Sequence, residues 1–160
     1  MFKSFVSLVA LASLVAAAPS LVARAVPAGF AVTGTSYSGP GCPAGSAVVN
    51  VAADSSAFSV VYSEFTLNVG PGLPSPDSKT CTVTLNLVIP SGYTVGLAPL
   101  DNGSFRQDDG TVGGGFGVND IFTTSQLTLT TNAVLIAGGP TSTGVLIIDS
   151  LDGHFTFTQV

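Results

Sequence analysis

The chain reads as an all-β protein, a single domain built as an antiparallel β-sandwich or flattened barrel and closed by one disulfide. Three observations predict this. Runs in which apolar and polar residues alternate recur along the chain after its first 24 residues, whereas Gly, Pro, Thr, Ser and Val interrupt every window long enough to show a helical period of 3.6. Turn-forming residues separate these runs at short intervals, the rhythm of a sandwich. The length of 160 residues, 46% of them apolar, suits one domain able to bury enough surface to offset its ordering entropy, and two domains are not expected.

Met1-Phe2-Lys3 opens the chain with a positive charge, and an uncharged run rich in Leu, Val and Ala follows from Ser4 to Ala18. This is the layout of a secretory signal peptide, and its apolar run is shorter than the roughly 20 residues a membrane-spanning helix requires. Val15 and Ala17 satisfy the small-residue rule, so residues 1–17 are assigned to the signal peptide with cleavage after Ala17. Residues 18–24, ending at Arg24, form a candidate pro-segment, and residues 25–160 form the secreted domain. His154–Val160 alternates polar and apolar residues and lacks the hydrophobic tail of a lipid-anchor signal. The expected location is therefore the cell exterior or wall, with no membrane insertion once the signal is removed.

Ala31–Tyr37 and Ala47–Ala52 are predicted as the first strands. Phe58, Val60 and Tyr62 share one face, and Phe65, Leu67 and Val69 continue on the opposite parity, which predicts a bulge or kink near Ser63-Glu64. Val69–Asp77 contains Pro71, Pro74 and Pro76, which remove ladder donors, so an extended surface loop is expected there. Cys81–Ile89 is the clearest strand: Val83, Leu85, Leu87 and Ile89 point one way, and Thr82, Thr84 and Asn86 the other. Tyr93–Leu97, Gly113–Val118, Ser125–Thr131 and Ala133–Ala137 are further strands. Leu100–Gly117, dense in Asp and Gly, breaks the rhythm and is expected to be exposed loop, flexible through Gly113–Gly117. At the end, Val145–Asp149 and His154–Val160 flank Asp149–Gly153, whose Asp-Gly pair predicts a terminal hairpin.

Charge and residue types exclude more than they select. Four Lys and Arg stand against nine Asp and Glu, and without residues 1–24 only Lys79 and Arg106 face the same nine acids, a net charge of −7. No basic face exists to hold phosphates, so nucleic acid is not a partner. After export, Cys42 and Cys81 meet an oxidising compartment, where an even count favours a bridge, and two cysteines allow one intramolecular pairing. Asn102-Gly103-Ser104 is the single N-glycosylation sequon, and Asn102 is the glycosylation candidate.

No catalytic residue is assigned and no enzymatic activity is expected. His154 is the only histidine, and no Gly-x-Ser-x-Gly elbow accompanies it, so neither a nucleophilic triad nor a zinc site can be assembled. Asp101, Asp108, Asp109 and Asp120 supply carboxylates of the kind glycoside hydrolysis needs, but a chain without Trp and with three Tyr lacks aromatic platforms for sugar. These acids are read instead as turn formers that bond their own backbone. Asp101, Asp108 and Asp109 are also weak calcium candidates, because hard carboxylate and amide oxygens in a loop suit that ion, although the twelve-residue helix-flanked pattern is absent. Gly113–Gly117 lacks the Lys-Ser/Thr that follows a phosphate loop. No cofactor is implied. Surface-active fungal coat proteins of the hydrophobin kind need eight cysteines, and this chain has two.

Tyr37-Ser38-Gly39-Pro40-Gly41-Cys42-Pro43-Ala44-Gly45-Ser46, then Val69-Gly70-Pro71-Gly72, then Asp77-Ser78-Lys79-Thr80-Cys81 and Ile89-Pro90-Ser91-Gly92-Tyr93 resemble fungal small secreted proteins carrying the domain of unknown function 4360. The resemblance covers residues 31–95, with residues 144–153 similar to the family's closing segment. It implies a secreted β-rich fold with Cys42 bridged to Cys81, and it implies no activity. The chain departs from the family pattern in being shorter in the middle and in lacking a second cysteine pair. The expected role is a non-catalytic structural or recognition module at the cell surface or wall, with cell-wall polysaccharide as the candidate partner. The alternatives are a calcium-stabilised glycan-binding module and a carboxylate-dependent glycoside hydrolase.

Overall fold

The computed structural model describes residues 25–160; the signal peptide and pro-segment assigned to residues 1–24 lie outside the described residues. Every regular element among the described residues is a strand: β1 (Ala31–Ser38), β2 (Ala47–Val51), β3 (Ala57–Tyr62), β4 (Thr66–Val69), β5 (Asp77–Val88), β6 (Tyr93–Leu97), β7 (Asp101–Asp108), β8 (Val112–Phe122), β9 (Gln126–Ala137) and β10 (Gly144–Gln159). They form two antiparallel sheets. The smaller has the order β1-β5-β9-β8. In the larger, β10 is a spine of 16 residues with β4 and β3 along one side and β7 and β6 along the other, and β2 extends the sheet beyond β3.

Alternation decides which side chains meet between the layers. From the smaller sheet, Cys81, Val83, Leu85 and Leu87 of β5 and Leu127, Leu129, Ala133 and Leu135 of β9 turn inward. From the larger sheet they meet Phe58, Val60 and Tyr62 of β3, Leu67 and Val69 of β4, and Leu146, Ile148, Leu151, Phe155 and Phe157 of β10. Each fully buried aliphatic side chain contributes about 1.5–3 kcal/mol relative to exposure. At one end Phe30 sets its ring edge-on to Phe155 and Phe157, with centroids 5.2 and 4.8 Å apart. Such aromatic pairs add to the gain from area burial alone.

The disulfide joins Cys42, in the connection that leaves β1 for the other sheet, to Cys81 in β5, with the two Cα atoms 5.4 Å apart. Gly39 permits this corner. Its φ is +134°, and a β-carbon there would lie 2.2 Å from the Thr80 carbonyl oxygen, the same oxygen that accepts the Gly41 N–H at 2.9 Å. The kink foreseen at Ser63-Glu64 separates β3 from β4, and the proline-rich loop runs between Val69 and Asp77 as expected.

Three expectations fail. No hairpin forms at Asp149–Gly153, because β10 runs unbroken through it. A register shift between Ile148 and Ser150 resets the alternation there, and extended Gly153 makes room for the Phe58 ring, whose Cζ would lie 2.3 Å from a β-carbon. Leu100–Gly117 is mostly strand, with a turn only at residues 109–111. It supplies β7 and the first half of β8, Asn102 stands on a strand, and Gly113–Gly117 is held by β9 from Ile136 to Asn132. Ser125–Thr131 and Ala133–Ala137 are one strand, β9, in which Thr131 is buried at a core position where a polar residue had broken the apolar pattern.

Candidate functional site

With the odd-numbered residues from Cys81 to Leu87 in β5 and from Leu127 to Leu135 in β9 committed to the core, the even-numbered ones share the outer face of the smaller sheet, where Asn86, Gln126 and Asn132 are exposed and the threonines half-buried. Register aligns them in rows. Ser38, Thr82, Thr130 and Asn119 lie side by side across the four strands, and Ser36, Thr84, Thr128 and Ile121 form the next row. Gly34, Asn86 and Gln126 follow on one side, and Thr80, Asn132 and Gly117 on the other. Hydroxyls and amides thus repeat about every 4.8 Å across the strands and about 6.8 Å along them.

No outward position in this array carries an ionisable side chain. Two contacts hold its side chains in place: Thr80 Oγ1 donates to Asn132 Oδ1 at 3.1 Å, and Gln126 Nε2 donates to Asn86 Oδ1 at 2.9 Å. Branching at Cβ also limits each Thr to few rotamers, so the array is ordered at little entropic cost. Exposed Val88, Ile121 and Ile136 edge it. The arrangement offers donors and acceptors in a repeating pattern without a net field. That suits a neutral, hydroxyl-bearing partner better than an ion.

The acids foreseen as candidates lie elsewhere. Asp101 and Asp108 occupy opposite ends of β7, roughly 23 Å apart for a strand of that length. Asp101 is instead in register with Asp152 of β10. Asp108 and Asp109 meet at the β7–β8 turn, where all four carboxylate oxygens are occupied. Asp108 accepts Arg106 Nε–H at 2.6 Å and Gly110 N–H at 2.8 Å. Asp109 accepts the Thr111 hydroxyl at 2.6 Å and its N–H at 2.9 Å, and the Thr143 N–H at 2.8 Å. The Arg106 guanidinium and the Gly110 N–H hold Asp108 below the usual carboxylate range, and the Thr111 hydroxyl with the Thr143 and Thr111 N–H groups does the same for Asp109. A general acid requires the opposite shift. These two residues build a turn, as their Asp-x-Gly and Asp-x-Thr spacing foretold.

Arg106 extends the same device. Its two terminal nitrogens donate to the carbonyls of Gly114 at 2.7 Å and Val112 at 2.5 Å, which ties β7 of one sheet to β8 of the other. His154 is exposed on β10 and borders a cavity of about 340 Å³ with Asp152, Asn50 and Ser59. Asp120 lies on β8, beside Leu97, Leu100 and Asn102. Among the described residues no three of His, Cys, Asp and Glu come together.

Sequence reading had not singled out the hydroxyl array. The signal was present as Thr80-x-Thr82-x-Thr84 and Thr128-x-Thr130, but only the β5–β9 register shows that the two series are neighbours.

The family model described as Domain of unknown function (DUF4360) matches residues 28–158. An uncharacterized secreted protein of Arthroderma benhamiae is 25% identical over 71 residues, covering 44% of this chain and 29% of that relative. The chain therefore matches less than a third of the relative's length. No solved structure matches it.

Proposed function

The chain belongs to the DUF4360 family, and from this premise we propose that it is an exported, non-catalytic recognition module that holds neutral polysaccharide at the cell surface or wall. The observation that carries this reading is the uncharged grid of hydroxyls and amides on the smaller sheet. A neutral polymer offers repeated hydroxyls that both donate and accept, and many modest hydrogen bonds along one chain add up where a single bond would be lost to water. The net negative charge elsewhere disfavours anionic polymers and does not affect neutral ones. Export is supported by the amino-terminal sequence and by the description of the relative as secreted. The absence of a catalytic role is supported by the occupied carboxylates of Asp108 and Asp109 and by the distance of Asp101 from them.

The test is retention of the secreted protein on insoluble glucan, chitin and mannan, at low and high salt. Retention that salt does not weaken supports the reading. Passage through all three, or retention that salt abolishes, overturns it. Release of reducing ends from any of the polymers would establish the hydrolase alternative instead.

A further inference from the structure

Asn102 stands on β7, a strand whose outer edge has no partner strand in the sheet, and its side chain is exposed. Beside it a cleft of about 510 Å³ opens between that edge and β8 of the other sheet. Leu97, Leu100, Phe116 and Val118 give the cleft apolar walls, and the Asp120 carboxylate lies on its border. The residue after Asn102 is constrained independently of any sequon: a β-carbon on Gly103 would fall 2.7 Å from Ser150 Oγ. Ser104, the third residue of the sequon, is exposed as well.

We propose that Asn102 carries an N-linked glycan and that its first sugars occupy this cleft between the two sheet edges. The donor is a lipid-diphosphate-linked oligosaccharide. Asn102 Nδ2 forms a bond to C1 of the reducing-end N-acetylglucosamine and loses one proton. The C1–oxygen bond to the diphosphate breaks, and the lipid diphosphate leaves. Transfer precedes the pairing of β7 with β10, while the sequon is still extended and open.

After folding, a sugar tethered by one bond is held next to Leu97, Leu100 and Phe116 at high effective concentration. Its apolar ring face covers those side chains, and its hydroxyls are donors for Asp120. The glycan also shields a free strand edge, which otherwise invites pairing with another chain. This inference rests on export and not on polysaccharide recognition, so either can fail without the other.

The test uses the full chain secreted from a eukaryotic host. Intact mass before and after enzymatic deglycosylation reports occupancy, and Asn102→Gln and Ser104→Ala must both lose the added mass. Trimming to the single Asn-linked N-acetylglucosamine is expected to leave the melting temperature unchanged. Both variants are expected to melt about 3 °C lower and to bind more of an apolar dye. A chain without added mass overturns the inference. A glycan whose complete loss alters neither melting nor dye binding overturns its seat in the cleft.

Discussion

The Phe65 ring fills the space that Gly41 leaves by having no side chain: a β-carbon on residue 41 would lie 2.6 Å from Cε2 and 2.7 Å from Cζ of that ring. Phe65 is 1% exposed and meets Tyr62 edge-on, with centroids 5.4 Å apart, so it has nowhere to retreat. Gly41→Ala is expected to lower stability by about 1–3 kcal/mol, the usual cost of overpacking. Gly113→Ala, where a β-carbon meets nothing within 4 Å, is expected to change it by less than about 0.5 kcal/mol. Urea midpoints of the two variants check the contrast.

Acid is expected to weaken the fold through a small set of carboxyls. Asp54, held low by the Ser56 hydroxyl and N–H, joins Asp108 and Asp109 in having a folded-state value below the unfolded one. Their contribution is present above the unfolded value of about 3.9 and is lost as pH falls through the lower folded value. Stability should therefore fall below about pH 4. Asp109→Asn, which keeps one acceptor and removes the titration, should show a shallower acid limb when urea midpoints are measured against pH.

Removal of the Cys42–Cys81 bridge by a double change to Ala is expected to cost about 2–5 kcal/mol, the range for a native bridge in a small secreted domain. Both cysteines are buried at 1% exposure or less. Reductant should therefore act slowly on the folded protein and quickly once urea opens it. Thiol labelling followed by mass spectrometry measures both rates.

Recognition by the hydroxyl array is expected to fail when charge enters it. Thr130→Lys places an ammonium between Thr82 and Asn119 and should abolish retention on a neutral polysaccharide, with a stability change of less than about 1 kcal/mol. Val48→Lys, at a 57% exposed position on the other sheet, should leave retention unchanged. Equal losses from both variants would refute the assignment of the face.

Strand content was legible wherever one face of a strand is buried and the other wet, as in β5, where odd and even positions sort without exception from Cys81 to Leu87. It was illegible where glycine serves packing instead of turning. Gly153 follows Asp152 as a turn glycine would, yet it accommodates Phe58, and the register shift beside Ser150 removes the alternation that would have shown one strand. In β8, an edge strand with exposed glycines, there was little alternation to read. The turn chemistry of Asp108 and Asp109 was local and therefore visible, while the Thr82–Thr130 juxtaposition depends on residues 48 positions apart and was not.

Because β10 borders β3, β4, β6 and β7, most of the larger sheet waits on the strand that leaves the ribosome last among those described. Until it arrives, β4, β6 and β7 have no partner strand among the described residues and keep their main-chain groups bonded to water, whereas β3 is able to pair with β2. The layer that faces them, β1-β5-β9-β8, has all its members by residue 137 and is able to assemble first as a template. Maturation of this protein is thus timed by the arrival of its C-terminal residues, and a chain stalled before residue 144 would present one finished layer with its greasy side uncovered.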